Sequence, residues 1–210
     1  MSDEIVFYTH PQSRGRTVRW MLEEVGQPYR TDILGYGQSM KGPDYLKINP
    51  MGKVPALTHG KAVVTEVPAI CAYLADAFPS ANLAPAPPSP GRAPYYRWLF
   101  FAAGPLESAM FTKLMGFTVP ADREVMAGFG TMSQTLDALE SAVKDREYLA
   151  GDRFTAADLY VAAFLGFGMM FGGIEKRPAF EAFSGRHLSR PAAVRAREID
   201  DAAMPPEAGQ

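Results

Sequence analysis

Prolines at 79, 85, 87, 88, 90 and 94 punctuate the middle of this chain. Each fixes φ and removes a backbone donor, so neither a regular helix nor a central strand can run through the stretch. The sequence is thereby forced into two parts, and their patterns differ. Before the prolines, Ile5-Val6-Phe7-Tyr8 reads as a short buried strand, and Val18, Met21, Leu22 and Val25 fall at helical spacing up to a stop at Gly26. Tyr29 to Leu34 reads as a second strand. Pro55 to Thr58, a turn at His59-Gly60-Lys61, and Ala62 to Val64 form a hairpin, and Pro68 to Phe78 forms a helix. With a right-handed crossover between the first two strands, this order predicts a small mixed sheet of the thioredoxin-like kind. After the prolines everything reads as helix. Tyr95 to Gly116 is a long helix kinked at Gly104-Pro105. Met126, Phe129, Met132, Leu136, Leu139 and Val143 trace a second. Thr155 and Asp158 form a capping box with Phe154 as staple, and Arg190-Pro191 opens a last short helix. The expected organisation is an α/β domain over residues 1–79, a semi-rigid linker over 80–94, an all-helical domain over 95–204 and a disordered tail over 205–210.

Two segments of the first part carry chemistry. Asn49-Pro50-Met51-Gly52 is a turn that delivers Val54-Pro55 into a strand. Pro55 has no N–H, so the backbone of Val54 is left at an open edge where an extended, peptide-like ligand can pair. Thr65-Glu66-Val67-Pro68 puts a carboxylate and a backbone N–H at a helix start, which welcomes negative charge on a ligand. Strand-like pairing beside an anion-binding helix start suits a small acidic peptide.

These segments, in this order and spacing, resemble the glutathione-binding half of cytosolic glutathione S-transferases, where Asn-Pro-x-Gly-x-Val-Pro carries a cis-proline and Glu-Ser-x-Ala-Ile opens the third helix. The resemblance implies a thioredoxin-like domain followed by an all-α domain. It implies a cytoplasmic homodimer, with a role in detoxification, that uses glutathione as co-substrate, needs no metal and transfers the thiolate to a small hydrophobic electrophile. Alternatives within it are a glutathione-dependent isomerase or dehalogenase, and a non-catalytic glutathione-binding scaffold. The family's sulfur-contacting residue lies between the first strand and first helix, which points to Ser13. Taken alone Ser13 reads as an N-cap, and Thr9 and Tyr8 are rivals for the sulfur. Arg14 and Arg16 either bring positive charge to the thiolate or are solvated. Val54 and Pro55 form the pairing edge, Glu66 takes the γ-glutamyl amine, and Lys41, Lys53 and Gln38 are candidates for the remaining polar groups. Val67 stands where the family usually has serine, leaving its backbone N–H alone for the γ-glutamyl carboxylate. Phe101, Met110, Phe111, Leu114 and Met115 are the candidates for an electrophile pocket between the domains. The task for Ser13 is modest. A thiol of pKa ~8.5 needs roughly 2 kcal/mol to be mostly thiolate near pH 7, and one hydrogen bond to a charged acceptor contributes about 1.5–3 kcal/mol.

Other functions are disfavoured. A net charge of −2 over 210 residues gives no reason to expect nucleic acid or an anionic membrane as partner. The apolar run from Leu159 to Ile174 is short for a membrane span and opens on a helix cap, so it reads as a buried core helix. His10, His59 and His187 lack metal-ligand spacing. Cys71 is the only cysteine, which excludes dithiol chemistry, fits a reducing compartment and makes a packing role the natural reading. No signal peptide is visible at the N-terminus.

Overall fold

The central strand β1 (Ile5–Thr9) is apolar on both faces because both are covered: Ile5, Val6 and Phe7 are all buried. The computed structural model describes residues 4–204, which divide into two units, 4–81 with 190–204 and 82–189. In the first unit β1 leads through α1 (Gly15–Val25) to β2 (Tyr29–Ile33), then α2 (Pro43–Leu46), the hairpin β3 (Ala56–His59) and β4 (Ala62–Thr65), and α3 (Val67–Ala77). The sheet order is β2-β1-β3-β4, with β1 and β2 parallel and the β1–β3 and β3–β4 pairs antiparallel. This is the thioredoxin-like arrangement read from the sequence. Helix α1 buries Val18, Met21, Leu22 and Val25, and Gly26 ends it in the left-handed region at φ 70°, its N–H bonded to the Leu22 carbonyl. Helix α3 turns Ile70, Cys71 and Leu74 fully inward. Tyr73 is only half-buried and shares a 2.9 Å hydrogen bond with His59 Nδ1.

The last helix corrects the expected boundaries. Helix α9 (Pro191–Ala202) was grouped with the helical domain, yet it packs on α1 in the first unit. The physical reason is a buried pair: Arg19 Nε donates to Asp200 Oδ1 at 2.7 Å, both side chains are almost wholly enclosed, and the guanidinium stacks over Phe7. Burying either charge without the other would cost several kcal/mol, so the two helices come together.

The second unit contains α4 (Arg92–Phe101), α5 (Glu107–Leu114), α6 (Met132–Val143), α7 (Ala156–Met170) and α8 (Pro178–Leu188). Between α4 and α5 the helix widens to a π-turn over Ala102–Leu106. Pro105 lies inside that turn and has no N–H to give, so the wider spacing accommodates it where the sequence suggested a kink. Helix α6 starts later than its apolar stripe implied, at a capping box in which Gln134 N–H donates to Thr131 Oγ1 and Thr131 N–H to Gln134 Oε1. Residues 121–126 form a 3₁₀ segment instead. The expected linker is also more than a spacer: Leu83 is buried, its carbonyl accepts from the Ala156 N–H, and Arg92 Nη1 donates to the Pro85 carbonyl at 2.7 Å. In α7 the Thr155–Asp158 box forms as read. Asp158 Oδ2 accepts from the Thr155 N–H and hydroxyl, and Oδ1 accepts from the Leu149 N–H. Among the described residues no helix is long and apolar enough to cross a membrane. The expected tail at 205–210 lies outside the described residues.

Candidate functional site

Register decides where the candidate residues meet. Tyr8 of β1 pairs with Ala56 of β3, and Ala56 pairs with Thr65 of β4. Thr9 pairs with Ile33 of β2. The loop to Ser13, the segment 34–41, the Val54-Pro55 entry and the Glu66-Val67 helix start therefore all leave the sheet at one end.

Ser13 is half-buried at the approach to α1. Its hydroxyl donates to the His10 carbonyl at 2.7 Å and accepts from the Gly15 N–H at 3.0 Å. Ser13 is therefore not the N-cap, a position Arg14 occupies with no side-chain cap bond, but it lies one residue earlier and still receives the first N–H of α1. A rival is removed by packing: Thr9 is fully enclosed, and a Cβ on Gly15 would fall 1.9 Å from its Oγ1. Glycine is required there, and the Thr9 hydroxyl is closed off from solvent. Tyr8 is half-buried, with its ring 5.6 Å from that of Tyr45 in a cluster with Leu34, Met40 and Ala56.

The Val54–Pro55 peptide bond is cis, as the resemblance implied. Val54 lies just outside the β3 ladder, which begins at Ala56, and packs on the same cluster. Sequence reasoning missed the brace beneath it. Tyr45 Oη donates to the Lys53 carbonyl at 2.5 Å, and Asn49 Nδ2 donates to it at 2.8 Å while Asn49 Oδ1 accepts from the Met51 N–H. Burial pushes the Tyr45 phenol up to about 12, so it stays a donor. Asn49 was legible as the head of an Asx turn; Tyr45 carried no signal. Lys41 Nζ donates to the Met51 carbonyl at 3.0 Å, steadying the same loop, and Lys53 and Gln38 are exposed. Glu66 is exposed with φ 67°, a conformation a non-glycine residue adopts only under constraint. Val67 is buried at the first position of α3 and is followed by Pro68, which offers no N–H.

In the second unit Met110 is a core residue and no part of a pocket wall: it is 2 % exposed, and a Cβ on Gly173 would sit 2.7 Å from its Cγ. Phe101 is half-buried against Trp98, while Phe111, Leu114 and Met115 are each about half exposed. Cys71 is enclosed, and burial pushes its thiol up to about 12, which leaves it inert. A surface groove of about 820 Å³, with Tyr29, Arg30, His59 and Phe78 in its walls, lies at the opposite end of the sheet, by the Ile5–Tyr29 and Ile5–His59 pairs.

The first unit is thus a thioredoxin-like fold with Ser13, the Val54-Pro55 entry and the α3 start at one end of its sheet, in a chain whose second unit is helical. Residues 13–77 match the family model described as glutathione S-transferase, N-terminal domain, and residues 101–191 match its C-terminal domain. Among curated proteins the chain is 31% identical to glutathione S-transferase GST-4.5 of Xanthomonas campestris over 189 residues, covering 87% of this chain and 92% of that one. It is also 31% identical to glutathione S-transferase GstA of Escherichia coli O157:H7, covering 77% of each. Among solved structures, a glutathione transferase from Methylococcus capsulatus superposes with a TM-score of 0.77 at 28% identity, covering 94% of this chain and 99% of that one. A sphingomonad glutathione S-transferase complexed with glutathione superposes with a TM-score of 0.75 at 28% identity, covering 93% and 98%. The chain belongs to the cytosolic glutathione S-transferase superfamily and is an enzyme of that family.

Proposed function

We propose that this transferase joins the thiolate of glutathione to small hydrophobic electrophiles, with the tripeptide bound on the first unit. The observation that carries the reading is the register that brings Ser13, Val54 and Glu66 to one end of the sheet. In this reading the cysteinyl backbone of glutathione pairs with Val54, extending β3 beyond Ala56. The Glu66 carboxylate takes the γ-glutamyl ammonium, and the Val67 N–H takes its carboxylate at the α3 start. Lys41, Lys53 and Gln38 serve the remaining polar groups. The Ser13 hydroxyl turns from the His10 carbonyl to the sulfur and holds it as thiolate. The sulfur then forms a C–S bond as the electrophile's leaving group departs with its electron pair, the thiol proton having gone to solvent. Phe101, Phe111, Leu114 and Met115 supply apolar surface for the electrophile. Retention on immobilised glutathione and turnover of a reactive aryl halide are the expected results. Absence of both at millimolar glutathione overturns the reading.

Val67 and Pro68 favour a second reading, a glutathione-binding protein without catalysis, because they leave fewer donors for the γ-glutamyl carboxylate. Calorimetry beside a spectroscopic titration of the thiol separates the two: the enzyme lowers the thiol pKa on binding, and the scaffold does not. The proposal extends to a cytoplasmic two-fold homodimer with a role in detoxification. A monomer by sedimentation at micromolar concentration refutes the dimer.

A further inference from the structure

Helices α1 and α9 carry complementary charges in antiparallel order. Arg16 pairs with Asp201 at 2.6 Å, Arg19 with Asp200 at 2.7 Å, Glu23 with Arg195 at 3.3 Å, and Glu24 with Arg190 at 2.7 Å. Arg16 does something further. Its Nη2 reaches Asp201, while its Nε donates at 2.6 Å to the carbonyl of Pro11, in the loop that presents Ser13. The next N–H along, that of Gln12, donates to His10 Nδ1 at 3.1 Å. The planar Pro11–Gln12 peptide is therefore held at both ends. It connects His10, whose carbonyl receives the Ser13 N–H and hydroxyl, to Ser13 itself.

We propose that Arg16, anchored by Asp201 of the last helix, is a positioning residue for the thiol site: it fixes the Pro11–Gln12 peptide and through it the direction of the Ser13 hydroxyl. The proposal rests on the reading of Ser13 as the sulfur contact. It makes α9, whose Asp201 lies 188 residues downstream of Ser13 (201 − 13), a working part of that site. A planar guanidinium serves a carbonyl through Nε and a carboxylate through Nη2 in fixed, separate directions, whereas a lysine offers its three N–H groups from one rotating centre on a flexible stem. The arrangement therefore requires arginine.

The test uses the full chain and the variants Arg16→Lys, Asp201→Asn, Ser13→Ala and Arg195→Ala. Asp201 is more than half exposed near the C-terminal end of α9, so its replacement leaves the core alone. The readouts are the pKa of bound glutathione thiol by thiolate ultraviolet absorbance, kcat and KM for glutathione with an aryl halide, and melting temperature. Arg16→Lys and Asp201→Asn are expected to raise the thiol pKa and lower kcat by up to about tenfold, the worth of one charge-assisted hydrogen bond, with KM for glutathione unchanged. Arg195→Ala, which loses a rung of the ladder away from the loop, is expected to alter melting temperature alone. If Arg16→Lys and Asp201→Asn leave thiol pKa and kcat at wild-type values while Ser13→Ala moves them, the positioning role is overturned and the Ser13 reading stands. If Arg195→Ala lowers kcat as much as Asp201→Asn does, the effect is general helix docking and the proposal also fails. If Ser13→Ala itself moves nothing, the underlying reading falls and this one with it.

Discussion

Ser13 has one hydroxyl proton and two claims on it, the His10 carbonyl in the free protein and the sulfur in the proposed complex. Replacing it separates them. Ser13→Ala is expected to lower kcat by about tenfold and move the pH profile up by about one unit, as one charged hydrogen bond is lost. Glutathione affinity should hold, because the clamp proposed at Val54 and Glu66 is untouched. Stability should fall by about 1 kcal/mol, since the Gly15 N–H loses its acceptor. Val67→Ser tests the other end of the peptide. A hydroxyl at the α3 start should tighten glutathione binding by roughly three- to tenfold by calorimetry and leave the thiol pKa alone; unchanged affinity would show that the site does not hold the γ-glutamyl carboxylate at this helix start. The motif residues were legible because turn and cap chemistry is local: Asn49, Gly52 and Pro55 each announce a backbone conformation. Contacts made at a distance were not. Nothing near Tyr45 in the sequence says that its hydroxyl will brace Lys53, and the exclusion of Thr9 depends on how closely Gly15 packs over it.

At the scale of elements, the Thr155–Asp158 box gives helix α7 a titratable start. Burial pushes the Asp158 carboxyl up to about 6, outweighing the hydrogen bonds from Leu149 and Thr155 that favour its charged form. The unfolded chain ionises it near ~4. Between those values the folded state binds more protons than the unfolded state, so the contribution of Asp158 is fully present below about pH 4 and is lost as pH rises through about 6. The difference is roughly 2–3 kcal/mol at 1.36 kcal/mol per unit. Urea midpoints of wild type and Asp158→Asn across pH 4–7 should therefore diverge with pH, wild type losing ground to the variant. Parallel curves would mean that Asp158 is not a proton-linked group. This cap was readable because Thr-x-x-Asp before an apolar run is a helix-start pattern. Thr131-x-x-Gln134 is an equivalent pattern, but the apolar stripe continues upstream to Met126 and points to an earlier start. Periodicity alone set the start of α6 too early; the cap sets it at Met132.

For the molecule as a whole, the Arg19–Asp200 pair links the first helix to the last. Arg19→Met alone should cost about 3–5 kcal/mol, because Asp200 is left buried and uncompensated. Arg19→Met with Asp200→Leu should recover most of that loss, and denaturant melts of the two singles and the double measure the coupling. If the double is as unstable as the sum of the singles, the pair is not the joint described here. The sequence made the α/β half and the helical half legible through period and proline placement, but it could not show that α9 returns to the first unit. Charge complementarity between Arg16, Arg19, Glu23 and Glu24 and residues 190–201 becomes visible only when the two helices lie side by side. The return of α9 also bears on how this protein is made. The ribosome releases the thioredoxin-like residues first, but their unit lacks its closing helix until residues 190–204 emerge, and during that interval Arg19 lacks its Asp200 partner. A chain truncated before Pro191 would retain Ser13, Val54 and Glu66 and nevertheless be unable to finish folding the first unit. A fragment of residues 1–81 expressed alone should be aggregation-prone, and supplying residues 190–204 as a fused segment should restore its solubility.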